Sequence, residues 1–390
     1  MDTLAAIGEV SVDDFMARHW QRAPLLARDA LRGFVAPIDP PRLFGWAARD
    51  DVESRLVERN AAGRWRLSHG PFERLPSTRR PGWTLLVQGT DLHDDAMHAL
   101  LARFRFVPDA RVDDLMASFA TDGGGVGPHV DAYDVFLLQA HGRRRWRIAP
   151  PGDARTVAGA PLRLLARFEP VSEWVLEAGD LLYLPPGWQH DGVAVGECMT
   201  FSIGFRAPSR REFLSAFLAA AADAPGGADP RYTDRGRAAS RRPAEMPADL
   251  TGRLREWALG WRPARADVDR FIGCWLTEPK PNVWFERPVR TPSLDRFVAL
   301  ASRGGIRLDR RTRIGWRGRQ LFVNGEMPAV PVGAGRWMRQ LADRRTLSSA
   351  DAARALRNGT LAAMLRDWYA AGWLVLAGPP SPSARRSLHR

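Results

Sequence analysis

Gly123-Gly124-Gly125-Val126-Gly127-Pro128-His129-Val130-Asp131 is the stretch on which the reading of this chain turns. In an extended strand, residues i and i+2 point to one side. His129 and Asp131 therefore send an imidazole and a carboxylate into the same space, directly after a glycine-rich turn. A second histidine follows much later, in Leu184-Pro185-Pro186-Gly187-Trp188-Gln189-His190, just past a strand and a Pro-Pro-Gly turn that can aim it into a barrel mouth. Two histidines and one carboxylate with open positions make the facial triad of non-haem Fe(II) oxygenases, where the open positions accept a bidentate co-substrate and then O₂. His-x-Asp alone is a common chance pair, and the same three donors also suit Zn²⁺. The turns and strands around them lift the pair above chance as a metal site, with iron preferred and zinc left open. The other histidines have no partner at ligand spacing. His93 and His98, five apart on one predicted helix, fall on different faces and read as surface residues.

Just downstream runs Gly142-Arg143-Arg144-Arg145-Trp146-Arg147. At strand period two, Arg144, Trp146 and Ile148 share one face, and Arg143, Arg145 and Arg147 share the other. The second face is solvent-like. The first is apolar with one cation, and an inward guanidinium needs an anion. A carboxylate-bearing co-substrate gripped bidentately would supply it; an internal salt bridge is the plainer alternative. Upstream, the strand Asp114–Phe119 also splits by parity. Leu115, Ala117 and Phe119 should enter a packed layer. Asp114, Met116 and Ser118 could line a cavity, where Asp114 would suit a cationic substrate such as an arginine side chain, or they could face solvent.

Around these motifs the first 206 residues carry most of the strand signals. Trp83–Gln88, Asp114–Phe119, Val135–Gln139, Arg144–Ile148, Trp174–Leu176, Leu181–Leu184 and Cys198–Phe205 read as strands. Glycine and proline clusters punctuate them, a pattern of sandwiches and barrels. Ser11, with Asp14 three residues on, should cap a helix from Val12 to Trp20, and Leu92–Phe104 reads as an amphipathic helix. After Phe205 the pattern turns helical: Arg210–Asp223, an exposed loop over Ala224–Pro247, then Leu250–Leu259 and Ala266–Leu276. A linker, Glu278-Pro279-Lys280-Pro281, opens a last section of small strands and helices: Ser293–Ser302, Ile306–Leu308, Arg313–Trp316, Gln320–Val323, Trp337–Asp343, Ser349–Arg357, Leu361–Ala371 and Trp373–Ala377. Helices around a small β-wing suggest a winged helix, or another small α+β domain. The tail after Pro379 should be disordered.

Composition bounds the rest. A chain of 390 residues that is 45% hydrophobic and 26% charged can bury sizeable cores, which excludes a disordered chain or a collagen-like repeat. Two cysteines, Cys198 and Cys274, are too few for a disulfide framework. The net charge of +13 would suggest a nucleic-acid partner. That signal is discounted, because Lys280 is the only lysine among 57 basic residues, a skew expected of a GC-rich genome. Met1–Glu9 has no basic segment ahead of an apolar stretch, and no apolar run approaches a membrane span. A soluble, cytoplasmic protein is expected.

Taken together, Gly123 through Phe136, Gly142 through Trp146, Pro185-Pro186-Gly187 with His190, and Ser202-Ile203-Gly204-Phe205-Arg206-Ala207-Pro208 resemble the bacterial JmjC-type ribosomal oxygenases, best known as ribosomal protein L16 arginine 3-hydroxylases. The resemblance is tight over about 114–208 and looser beyond. It implies a JmjC, cupin-like double-stranded β-helix over 1–207, a helical dimerisation region over 208–277, a winged-helix-like domain over 278–380 and a disordered tail over 381–390. It further implies Fe(II) on His129, Asp131 and His190, and 2-oxoglutarate on Arg144 with Ser118 and Thr200 nearby. A substrate-arginine pocket of Asp114, Met116, Tyr133 and Ser202 is implied too, with Asp114 meeting the guanidinium. The implied reaction uses O₂ and 2-oxoglutarate to hydroxylate an arginine Cβ of L16. The implied assembly is a homodimer. Ala120 and Thr200 depart from the Ser and Asn frequent in that family, at positions near the co-substrate.

Two rivals stand beside this reading. One is the same chemistry on another ribosomal residue, such as a histidine, which an acidic Asp114 disfavours. The other is a non-catalytic cupin-like binding protein using the basic winged helix for recognition. An intact triad plus Arg144 argues against it. No recognition helix with base-reading side chains can be argued from the sequence.

Overall fold

The computed structural model describes residues 3–223, 231–239, 241–242 and 244–377. A short hairpin, β1 (Ala6–Ile7) and β2 (Val10–Ser11), leads into α1 (Val12–Arg18). Ser11 caps α1: its side chain accepts from the Asp14 amide, and its hydroxyl donates to the Asp14 carboxylate at 2.7 Å. Then follow β3 (Leu25–Ala27), α2 (Pro40–Ala47), β4 (Ser54–Arg59), β5 (Trp65–His69), β6 (Trp83–Val87), α3 (Asp95–Ala102) and β7 (Val112–Ala120). The helix expected from Leu92 begins later, because the Asp94 carboxylate accepts from the amides of Ala96 and Met97 and fixes the N-terminus there. His98, expected at the surface, is buried on the inner side of α3. Burial there, with the Arg345 and Arg307 guanidinium groups, pushes its pKa well below the ordinary value.

The strands that build the barrel come next: β8 (His129–Val130), β9 (Asp134–Ala149), β10 (Ser172–Leu176), β11 (Leu181–Leu184) and β12 (Gln189–Phe205). The main sheet runs β3-β11-β9-β12-β7-β6-β4-β5, all antiparallel, with β10 added to β9 and β8 added to β12. Val135–Gln139 and Arg144–Ile148, read from the sequence as separate strands, are the two halves of β9. Cys198–Phe205 is only the second half of β12. The breaks between these segments are bulges. Register with β9 shifts between Val195 and Thr200 of β12, and Gly142 of β9 takes a φ of +62° just where a Cβ would strike the Glu197 carbonyl. Two long bent strands thus serve both walls of one double-stranded β-helix.

Alternation along these strands separates two cores. Phe136, Leu138, Phe201, Ile203 and Phe205 join Phe15, Leu43, Trp83 and Phe104 under the helices. Val135, Leu137, Trp146, Ile148, Leu176, Leu182 and Leu184 form a second cluster, and this one is contiguous with the functional side chains.

Three helices follow: α4 (Arg210–Ala222), α5 (Ala248–Gly260) and α6 (Arg265–Thr277). A capping box between Ser209 and Glu212 starts α4. The last domain holds α7 (Leu294–Gly304), β13 (Ile306–Leu308), β14 (Ile314–Arg317), β15 (Gln320–Val323), α8 (Gly335–Arg344), β16 (Thr346–Leu347), α9 (Ser349–Ala355), α10 (Gly359–Ala370) and β17 (Leu374–Leu376). β13 lies between β16 and β17, while β14 and β15 form a separate hairpin, the wing. Phe297, Trp337, Leu341, Leu365 and Trp368 give this domain its own core. It grips the barrel domain through arginines. Arg310 donates to the Leu92 carbonyl at 2.6 Å, Arg313 to the Val112 carbonyl at 2.8 Å, and Arg105 reaches back to the Asp343 carbonyl at 2.6 Å. A cavity of about 490 Å³ lies between the two domains. Among the described residues no helix is long and apolar enough to cross a membrane. The expected disordered tail, and the first part of the expected loop at 224–230, lie outside the described residues.

Candidate metal and co-substrate site

Gly127 takes a φ of +76°, and a Cβ there would strike Leu164 and crowd Trp65, so only glycine brings the chain round into β8. β8 then pairs with the start of β12 so that His129 stands directly opposite His190. Their rings are 4.2 Å apart, and Asp131 lies within reach of both, its Oδ2 3.8 Å from His129 Nε2 and 3.5 Å from His190 Nε2. Among the described residues, these three are the group whose ligand atoms, all within 4.8 Å of one another, could hold one metal ion.

The Nδ1 of His129 is bonded to the Gly127 carbonyl at 2.9 Å, and that of His190 to the Trp188 carbonyl at 3.0 Å. Both rings are thereby oriented with Nε2 toward the common centre, as metal-binding imidazoles are. Burial, and then His190, hold His129 below its ordinary pKa. Burial alone would raise Asp131, but the two histidines and the nearby Tyr133 hydroxyl outweigh it and lower its pKa. A neutral His129 imidazole beside an ionised Asp131 carboxylate suits a divalent cation. This hard-and-borderline donor set, with no thiolate, fits Fe(II).

Arg144 faces inward with Trp146 and Ile148, as strand parity requires, and is 4% exposed. Its Nε and one terminal nitrogen are buried without any hydrogen-bond acceptor. Ala194, opposite it across β9 and β12, packs with Ala120 and Cys198 and offers it no acceptor side chain. An uncompensated guanidinium in a barrel is costly, and a dicarboxylate such as 2-oxoglutarate would satisfy it. The internal salt bridge weighed as an alternative is absent among the described residues. Ser118 and Thr200 are cross-strand partners. The Ser118 hydroxyl donates to the Thr200 carbonyl at 3.2 Å and the Thr200 hydroxyl to Gln139 Oε1 at 3.0 Å, so both hydroxyls are already engaged within the wall.

Met116 and Ser202 are likewise cross-strand partners and half-buried. Tyr133, 40% exposed, stands beside Asp131. Desolvation, Asp131 and the carboxylates of Asp114 and Asp113 raise its phenol above the ordinary value, so it stays protonated. Asp114 is buried and accepts from Gln88 Nε2 at 2.9 Å. It also receives the Lys280 ammonium at 2.9 Å, and that ammonium sits 3.1 Å from Asp113. Sequence reasoning missed Lys280, Gln88 and Asp113 as neighbours of this pocket. The one available signal was that the only lysine lies in the linker.

Comparison with known proteins agrees with this arrangement. The JmjC domain family matches residues 99–213, and the ROXA-like winged helix family matches 258–375. The ribosomal protein uL16 3-hydroxylase of Escherichia coli is 44% identical over 205 residues, which is 52% of this chain and 55% of that protein. A probable ribosomal oxygenase of Haemophilus influenzae is 34% identical over 209 residues, 51% of this chain and 50% of the relative. The alignments thus span about half the length of these curated relatives. Solved structures match along nearly the whole chain. YcfD, a ribosomal oxygenase from E. coli, superposes with a TM-score of 0.79 at 32% identity, covering 96% of this chain and all of YcfD. Its complex with cobalt and 2-oxoglutarate does so with a TM-score of 0.80 over the same shares. With the double-stranded β-helix, the wing and the His-Asp-His cluster all present, the chain belongs to the JmjC-type ribosomal oxygenase family.

Proposed function

We propose that this protein is an Fe(II)- and 2-oxoglutarate-dependent hydroxylase of an arginine Cβ in ribosomal protein L16 (uL16), acting in the cytoplasm. The observation that carries the reading is Arg144, a buried guanidinium with unanswered N–H groups in the barrel that holds the His129, Asp131 and His190 cluster. A binding protein would have no use for both.

In this reading His129, Asp131 and His190 hold the iron, which when bound supplies activation of O₂ for the coupled conversion of 2-oxoglutarate to succinate and CO₂. Arg144 clamps the far carboxylate of 2-oxoglutarate by a charge-assisted fork. The apolar wall of Leu137, Trp146, Ile148, Leu176 and Leu184 lines its path and excludes water. Ser118 and Thr200 stiffen that wall. Asp114 receives the substrate's guanidinium, with Met116, Tyr133 and Ser202 shaping the channel. The protein's part is position and a dry site. Exposed apolar side chains on α4 and α5, among them Leu214, Leu218, Leu254 and Trp257, support a homodimer formed through the helical region. The domain limits given above for the catalytic, helical and winged-helix regions belong to the same proposal.

Anaerobic loading with Fe(II) and 2-oxoglutarate, then O₂ and a peptide of the host's uL16, tests this. A gain of one oxygen on an arginine, lost in Asp131→Ala and Arg144→Ala, is expected. Succinate without peptide oxidation would keep the oxygenase and discard the substrate. Neither product, with iron shown to be bound, would return the binding-protein reading.

A further inference from the structure

Asp114 is not waiting empty. The Nζ of Lys280 lies 2.9 Å from its Oδ2 and 3.1 Å from Asp113 Oδ1. The residues are 166 positions apart in the sequence, and the lysine comes from the linker between α6 and α7. We propose that Lys280 is a resident occupant of the substrate's cation subsite, an ammonium that the chain places on Asp113 and Asp114 and that the incoming guanidinium displaces. The proposal rests on the reading of Asp114 as that subsite.

Four observations support displacement over a fixed structural pair. The first is chemical identity. Lys280 is the only lysine, and the other permanent cations of the chain are arginines. A guanidinium offers five donors in a rigid fork, whereas an ammonium is a compact, strongly hydrated point charge on a flexible stem. On one carboxylate pair the fork is the better partner and the ammonium the easier one to release. The second is the segment. Lys280 stands between Pro279 and Pro281, outside any helix or strand. Prolines commit no backbone donor to their surroundings; the Lys280 carbonyl accepts from the Val283 amide at 2.9 Å, so the backbone is anchored while the side chain is held by the two acids. The third is exposure. The Lys280 side chain is 25% exposed, but the Asp114 carboxylate only 5%. The pair is therefore reached from the lysine side, and the lysine stands between solvent and the acid.

The fourth is the space in front. A second cavity, of about 280 Å³, has Gln88, Asp114 and Lys280 in its wall and Asp51, Glu53 and Glu286 around it. Arg311 in the same wall answers Glu286 and Arg49 answers Asp51, which leaves Glu53 as the carboxylate facing an incoming basic segment. Lys280 also lines the larger cavity between the domains, so its side chain is part of the partition between the two. Burial alone would lower the Lys280 pKa, but Asp114 and Asp113 outweigh it and keep the group charged. A cation is thus always present on the pair, whether the enzyme's own or the substrate's. Asp113 is 32% exposed and also receives Arg206 Nε at 3.0 Å, so it keeps a cation of its own; the buried Asp114 is the acid that would be expensive to leave bare.

Because the chain has one lysine, its reactivity can be read alone. Isotope-coded acetic anhydride would be applied to the native wild-type protein, and acylation of the Lys280 peptide measured by mass. N-acetyl-L-arginine methylamide serves as a probe that needs no knowledge of the macromolecular substrate. Acylation should be slow in the free protein, accelerate severalfold as the probe saturates, and be fast without probe in Asp114→Asn. In turnover of the host's uL16, an occupant that fills the site reduces apparent affinity by the fraction of free subsite. Lys280→Met should therefore lower KM by about three- to tenfold, more than it changes kcat, and Lys280→Arg should raise KM. Acylation that is unchanged or slowed by the probe, with KM raised in Lys280→Met, would make Lys280 a fixed wall and overturn the proposal. If instead Asp114→Asn leaves KM for uL16 unaltered, the subsite reading itself fails, and the occupant reading falls with it.

Discussion

His129 and His190 face each other as register partners of β8 and β12, and each ring is held through Nδ1 by the carbonyl two residues before it. The two imidazoles are therefore set by backbone, before any metal arrives. Binding a divalent ion should then stabilise the folded chain with little rearrangement. At a hundredfold excess over Kd the gain is about 2.7 kcal/mol. Anaerobic thermal unfolding with Fe(II), or with Co(II) as an air-stable probe, should register a raised Tm. In Asp131→Ala that rise should vanish. An equal rise in both proteins would locate the ion elsewhere.

Arg144 carries the opposite relation between stability and function. Its unanswered N–H groups burden the fold when no co-substrate is bound. Arg144→Met keeps the length and apolar stem, and should stabilise the ligand-free protein by about 1–3 kcal/mol. The same change should abolish saturation by 2-oxoglutarate. Urea midpoints without ligand, beside succinate formation against 2-oxoglutarate concentration, measure both. A variant that loses stability and keeps its 2-oxoglutarate KM would remove Arg144 from the site.

Gly192 of β12 lies against the Trp146 ring: a Cβ there would come within 2.6 Å of it. That ring also stands 6.0 Å from His190. Gly192→Ala must displace this ring, which stands beside the metal cluster. Overpacking of this kind costs about 1–3 kcal/mol, and here the displaced ring borders the co-substrate space. The 2-oxoglutarate KM should rise along with the loss of stability. Loss of stability alone would mean that the ring moves away from the site.

The triad was legible in the sequence because its information is local. His129 and Asp131 share a strand face by parity, and Gly127 and Gly187 mark the turns that present the histidines. Arg144 was equally legible, since its inward face needed only period two. The long strands were not. Gly142 and the Gly196-Glu197 pair carry turn chemistry, and only pairing between β9 and β12 makes them bulges. β4, Ser-Arg-Leu-Val-Glu-Arg, and β5, Trp-Arg-Leu-Ser-His, lack a clean apolar alternation, so their strand character comes from the neighbours they join. α2 was readable and missed: Asp39 as cap with prolines in the first turn is a start signal. His98 looked like a surface residue because the domain that covers it is assembled from the far end of the chain. The Lys280 contact had no local signature beyond the place of the only lysine in the linker.

Asp91 supplies the last prediction, on pH. Its carboxyl is buried and accepts from the Leu115 amide at 2.9 Å. Burial, and then the Asp114 charge, push its pKa up to about 7. In the unfolded chain an aspartate titrates near about 3.9. Between those values the folded state binds a proton that the unfolded state has released. Stability therefore falls as pH rises through that window. The contribution is intact below about pH 4 and fully lost above about pH 7, and the width of that window sets its ceiling at about 4 kcal/mol. Asp91→Asn keeps an oxygen for the Leu115 amide and removes the ionisation. Its stability relative to wild type should climb steadily from about pH 5 to about pH 7, with the urea m-value unchanged. A pH-independent difference between the two proteins would mean that Asp91 is ionised throughout, with its charge met by Lys280 instead of a proton. In that case Lys280→Met should destabilise the fold, and Asp91→Asn should largely cancel the loss.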